Sequence, residues 1–140
     1  MLVRECLHKA PVTVPPQCTL NEAAGLMRDH RVGALLVVGG DELVGIVTDR
    51  DLAVHGTAQG LAPDEPVDGV MTKTPTTIQG SEDLFTAFTV LRRAGVRRLP
   101  VLEDSDVAGI ITVDDLLVWL VGEFAAVATP VADNVLPGPG

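Results

Sequence analysis

The chain has 140 residues, 46% of them apolar, and a formal net charge of −9, with a mean hydropathy of +0.32. That length holds one ordinary core, or two small units that share one, and excludes a multidomain enzyme. The negative field repels phosphate backbones and anionic lipid surfaces, which argues against nucleic acid as a partner, and the apolar content implies doubly buried strands or a broad self-association surface.

In chain order, the opening segment MLVRECLHKA lacks the roughly 7–15-residue apolar stretch of a signal peptide, and no run approaches the roughly 20 residues of a membrane helix. A cytoplasmic protein without membrane contact is expected. Pro11 opens a short β-type run, PVTV, where its fixed φ suits a strand entry. Leu20, Ala23, Ala24 and Met27 stand at i, i+3, i+4 and i+7 and predict an amphipathic helix. Thr19 and Glu22 start it with a capping box, and it ends near HRVG. The apolar runs ALLVV and LVGIVT flank a tight GGDE turn as a hairpin, and DRDLAVHG predicts a second helix. Residues 59–66 show no periodicity and form a linker.

The same order then returns. PTTI predicts a strand, and Leu84, Ala87, Phe88 and Leu91 a helix capped by Asp83 and closed by Gly95. LPVL and VAGIIT form a hairpin over EDSD, and VDDLLVWLVGEF a longer apolar helix. Sliding the sequence over itself by 64 positions aligns Pro11 with Pro75, Leu20 with Leu84, Val32 with Val96, Leu35 with Leu99, Gly45 with Gly109, Thr48 with Thr112 and Asp51 with Asp115 without a gap. Two repeats follow, residues 1–58 and 67–124, with residues 125–140, which end in alternating Pro and Gly, expected as a disordered tail. Each β-α-β-β-α unit is too small to bury its own sheet. The expected fold is α/β (α+β), with the two repeats packed about a pseudo-twofold axis.

Cys6 and Cys18 have neither C-x-x-C spacing nor companion histidines, so they read as reduced packing residues without a disulfide or a zinc site. His8, His30 and His55 stand singly, and none is assigned chemistry. No nucleophile motif, glycine-rich phosphate loop or metal triad is present, so no catalytic residue, resident cofactor or enzyme activity is expected.

The tandem repeat with MTKTPTTI, VRRLPV and GIITVDDL, preceded by a second copy bearing GIVTDRDL, resembles a pair of cystathionine β-synthase (CBS) domains, a Bateman module, over residues 1–122. The resemblance implies a regulatory module that binds an adenosine-containing ligand such as AMP, ADP, ATP or S-adenosylmethionine, pairs into a homodimer, and signals to an effector protein. Leu116, Leu117, Trp119, Leu120 and Phe124 are the candidates for the dimer contact.

Thr48-x-x-Asp51 and Thr112-x-x-Asp115 admit two compatible readings. Thr at a strand end caps the next helix, and Asp three residues on returns the bond. The same helix N-terminus, hydroxyl and carboxylate can hold a phosphate and a ribose. The resemblance places adenine walls at Val12, Thr13, Val32 and Ala34 in the first half, and at Thr76, Thr77, Val96 and Arg98 in the second. It also sets Arg97 and Arg98 beside the cleft, where a guanidinium suits bidentate phosphate contact; Arg50 is a third candidate. Gly33 and Ala34 stand where the second half has its arginine pair, so the clefts are unequal and at most one strong site per chain is expected. The alternative is a dimerising interaction scaffold whose clefts stay empty.

Overall fold

The computed structural model describes residues 1–135, and side chains through residue 131. The first repeat opens on β1 (Thr13–Val14) and α1 (Leu20–His30). Thr19 caps α1 as its sequence predicts: its hydroxyl oxygen accepts from the Glu22 N–H at 3.1 Å, and a Glu22 carboxylate oxygen accepts from the Thr19 N–H at 3.1 Å. The hairpin β2 (Ala34–Gly39) and β3 (Glu42–Thr48) turns on Gly40, whose φ of 65° suits a residue without a Cβ. The expected second helix is broken here. A single α turn, α2 (Asp49–Asp51), passes into a π turn over Leu52–Gly56 and a 3-10 turn over Thr57–Gln59. Gly56 leaves helical geometry at φ −96° and ψ −82°, in keeping with the poor helix propensity of glycine.

The second repeat contains β4 (Thr72–Lys73), β5 (Ile78–Gln79), α3 (Leu84–Ala94), β6 (Arg98–Glu103), β7 (Asp106–Thr112) and α4 (Val113–Val135). Asp83 caps α3 by accepting the Thr86 N–H at 2.8 Å, and Gly95 closes it at φ 66°. The hairpin turns on Asp104 at φ 57°. It carries a bulge between Val101 and Leu102, matching one between Val37 and Val38 in the first repeat.

α4 corrects the expectation of a disordered tail beginning at residue 125. Ala125, Ala126 and Ala128 favour helix, the Thr129 hydroxyl donates to the Ala125 carbonyl at 3.0 Å, and the helix runs through Pro130 to Val135. The Pro/Gly alternation at 137–140 lies outside the described residues.

The strands form two sheets, ordered β1-β2-β3-β4 and β5-β6-β7. In each, the first pair is parallel and the hairpin antiparallel. β4 follows the linker in sequence yet pairs with β3 of the first repeat. It is part of a reciprocal exchange. The Val67 N–H donates to the Cys18 carbonyl at 2.8 Å, and 64 positions earlier the Val3 N–H donates to the Glu82 carbonyl at 2.8 Å. Likewise the Leu20 N–H reaches the Glu65 carbonyl at 2.9 Å and the Leu84 N–H reaches the Met1 carbonyl at 3.3 Å. Val67 and Val70 therefore complete the first core, with Val14, Leu35, Val37 and Val47. Val3 and Cys6 complete the second, with Ile78, Leu99, Ile111 and Leu116. Each repeat's leading segment packs on the other repeat.

Gly45 and Gly109 make room for these segments. A Cβ on Gly45 would lie 2.5 Å from the Met71 sulfur, and one on Gly109 would lie 3.0 Å from a Leu7 methyl. Between the sheets, Ala34, Leu36 and Ile46 pack with Leu43, Val107 and Ile110 into a third cluster. Of the apolar residues expected at a dimer contact, Leu116 is fully buried and belongs to the second core, whereas Leu117, Leu120 and Phe124 are exposed.

Candidate functional site

Between the repeats lies a cleft of about 320 Å³. The first repeat supplies Val12, Val32, Gly33 and Ala34, the second Arg98, Ile110, Thr112 and Asp115, and the leading segment Cys6, His8, Lys9, Ala10 and Pro11. Its shape follows from the exchange: the leading segment crosses to the second repeat and then returns through Pro11 into β1.

Thr112 ends β7 and Asp115 lies in the first turn of α4. The Asp115 N–H donates to the Thr112 hydroxyl oxygen at 3.1 Å, and Oδ2 of Asp115 accepts from the Thr112 N–H at 3.1 Å. This reciprocal cap occupies one carboxylate oxygen and one hydroxyl lone pair. Among the described residues the other oxygen, Oδ1, has no hydrogen bond, and the hydroxyl retains its proton for donation. The same two side chains can thus cap α4 and hold a polar ligand, at the positive end of a long helix dipole.

Two cations, Lys9 and Arg98, line this cleft with one carboxylate, Asp115. Neither cation has an ion-pair partner among the described residues. A cationic cleft in a chain of net charge −9 suits an anion. Gly33 gives Arg98 its place: a Cβ there would lie 3.1 Å from an Arg98 guanidinium nitrogen and 3.3 Å from an Asp49 carboxylate oxygen. His8 stacks on Trp119, with ring centroids 6.2 Å apart and planes 10° from parallel, which ties the cleft wall to the second turn of α4. Burial, and then the charge of Glu5, push the Cys6 thiol above its ordinary pKa. That shift favours the neutral thiol in the cleft wall.

The predicted site residues divide. Val12, Val32, Ala34, Arg98, Thr112 and Asp115 come together in the cleft. Arg97 lies on an adjoining notch with Arg98 and Thr112, 3.7 Å from the Asp114 carboxylate in an exposed pair. Thr13, one residue along the strand from Val12, faces the opposite side. It lines a larger, shallower groove of about 580 Å³ with Glu22 and Asp29 and no cation, the wrong charge for an anion. Thr48 and Asp51 make the same cap, at 2.9 and 3.1 Å, but with Arg50, Thr76, Thr77 and Val96 they lie outside the cleft.

Cys6, His8, Lys9, Ala10, Pro11, Gly33 and Ile110 were not expected there. The 64-residue offset held a signal for the leading segment. It sets His8 and Lys9 level with Thr72 and Lys73, whose strand crosses to the other repeat's sheet. Among the described residues no cluster of His, Cys, Asp or Glu could hold a metal ion, and no helix is long and apolar enough to cross a membrane.

The model of the CBS domain matches the chain twice, at residues 3–55 and 67–122. The CBS domain-containing protein YhcV of Bacillus subtilis is 36% identical over 116 residues, 83% of each chain. The CBS domain pair of protein MJ0100, solved in complex with 5′-methylthioadenosine and S-adenosyl-L-methionine, superposes with a TM-score of 0.79 at 27% identity, over 88% of this chain and 98% of that one. A CBS domain protein, PAE2072 from Pyrobaculum aerophilum, complexed with AMP, shares the fold at a TM-score of 0.75 and 24% identity, over 82% of this chain and 89% of that one.

Proposed function

The chain belongs to the CBS domain family, and from that premise we propose that it is a cytoplasmic regulatory module whose inter-repeat cleft takes up an adenosine-containing nucleotide. The observation that carries this reading is the meeting of Thr112, Asp115, Arg98 and Lys9 with the apolar side chains of Val12, Val32, Ala34 and Ile110 in one cleft. The adenosine ligands of the MJ0100 domain pair support it.

In this reading the aliphatic side chains take the base, and the free Oδ1 of Asp115 accepts from the ribose hydroxyls. The Thr112 hydroxyl, the N-terminus of α4, Arg98 and Lys9 meet the phosphate or, for S-adenosylmethionine, its carboxylate. The ligand would touch both repeats and the exchanged leading segment together. Binding favours one arrangement of the three over the others by its differential affinity, and that preference is the regulatory signal.

The test is thermal melting of the full chain with AMP, ADP, ATP and S-adenosylmethionine, each at millimolar concentration. A ligand at a hundred times its Kd stabilises the native state by about 2.7 kcal/mol. At least one should raise the melting temperature, and Asp115→Ala should abolish the rise. If no adenosine ligand moves it, the cleft is unoccupied by this class and the protein is an interaction scaffold.

A further inference from the structure

Arg98 has two carboxylates near it, one from each repeat. In the first repeat, Oδ2 of Asp49 and a guanidinium nitrogen of Arg98 stand 3.3 and 3.1 Å from the place a Gly33 Cβ would take, so the two groups share the space that the bare glycine leaves. Oδ1 of Asp49 accepts the Arg50 N–H at 2.8 Å, and among the described residues Asp49 forms no ion pair. In the second repeat, Arg97 and Asp114 border the notch beside Arg98 and Thr112, and their side chains stand 3.7 Å apart. The second cation of the notch is thus already matched by a carboxylate. The 64-residue offset sets Asp49 level with Val113 and Asp114 level with Arg50, so neither carboxylate is a copied feature of the repeat.

We propose that Asp49 and Asp114 are specificity-determining residues that limit the ligand of this cleft to an adenosine with one anionic group at its 5′ end, a monophosphate or a single carboxylate, and disfavour a chain of phosphates. The inference rests on the nucleotide reading above and deepens it. Lys9 and Arg98 less Asp115 leave a single net positive charge in the cleft lining, enough to hold one anionic group together with the N-terminus of α4. A second and third phosphate reaching past Arg98 bring further negative charge toward Asp49 on one repeat and Asp114 on the other. Like charges brought together near a protein surface repel, and the chain's net charge of −9 adds to the opposition. The ammonium of an amino-acid tail is attracted by the same carboxylates.

Calorimetric titration of the full chain with AMP, S-adenosylmethionine and ATP tests it, in the presence of a metal chelator and at about 0.15 M salt, where charges more than about 8 Å apart are screened. AMP or S-adenosylmethionine should bind with a Kd at least tenfold below that of ATP, and which of the two is tighter tells whether the single anion is a phosphate or a carboxylate. Asp49→Asn combined with Asp114→Asn should narrow the gap between AMP and ATP at least fivefold, chiefly by tightening ATP. Both side chains are exposed, and an unchanged circular dichroism spectrum confirms that the variant folds. Asp41→Asn combined with Asp106→Asn removes the same two charges at the far tips of the two hairpins and should leave the gap within twofold of the wild type. Wild-type protein that binds ATP as tightly as AMP and S-adenosylmethionine overturns the proposal, as does a gap that the Asp49 and Asp114 substitutions leave in place or the hairpin-tip substitutions narrow equally. Binding of none of the three ligands by any of these chains overturns the nucleotide reading itself, and this inference with it.

Discussion

Asp51 and Asp115 do identical work for the backbone, each returning an N-terminal bond to its threonine, but one of them also faces a cleft. Their alanine variants therefore separate capping from binding. Each should cost about 1 kcal/mol of stability in chemical denaturation. Only Asp115→Ala should also lose the nucleotide-induced rise in melting temperature; an equal loss in Asp51→Ala would move the site to the other motif. Thr112 and Asp115 were legible in the sequence because a strand end, a helix start and a three-residue spacing are local facts. Lys9 and His8 were not. Nothing near them signals a site, and they reach the cleft only because the segment that carries them packs on the distant repeat. Thr13 illustrates the opposite error: it neighbours a cleft residue in sequence, but the strand's alternation turns it away.

At the scale of elements, both helices that begin at an expected cap do so, and both hairpins fall where Gly/Asp turns predict them. α4 runs past its expected end because Ala125, Ala126 and Ala128 favour helix and carry it through Pro130. The exchanged segments yield a symmetric prediction. Val3 and Val67 are each fully buried in the core of the other repeat, so Val3→Ala and Val67→Ala should each destabilise the whole chain by about 1.5–3 kcal/mol in urea unfolding. A loss confined to Val67→Ala would mean the N-terminal segment detaches freely. The α3 cap gives a pH dependence. Hydrogen bonding from the Thr86 N–H holds the Asp83 carboxyl below the usual carboxylate range. Its contribution is then fully present above the unfolded pKa of about 3.9 and disappears as pH falls through the lower folded value. Asp83→Asn keeps a capping oxygen but no titrating charge. Melting of the wild type should therefore fall more steeply than that of Asp83→Asn as pH drops from about 5 to 3, and parallel curves would show that the cap does not need the charge.

For the whole molecule, twofold likeness and chemical inequality coexist. The repeats superpose in order and register, but Gly33 and Ala34 occupy the places that Arg97 and Arg98 hold in the second half, and the cleft around Asp115 is the one this difference leaves open. A calorimetric titration should accordingly return one nucleotide per chain; two equivalent sites would contradict the inequality. Trp119, the sole tryptophan, stacks on His8 of the cleft wall, so its emission should change as the cleft fills and give the Kd directly. The exchange of leading segments also bears on how such a chain could be assembled from parts. A single repeat carries an arm that fits another repeat's core and a berth that its own arm does not fill, so by itself it can be complete only by trading arms with a second molecule, at a rate and extent set by concentration. Joining two repeats through residues 59–66 turns that encounter into an event within one chain, at the high effective concentration of a short tether. Dilution, which would unmake a pair of free repeats, leaves this fold intact.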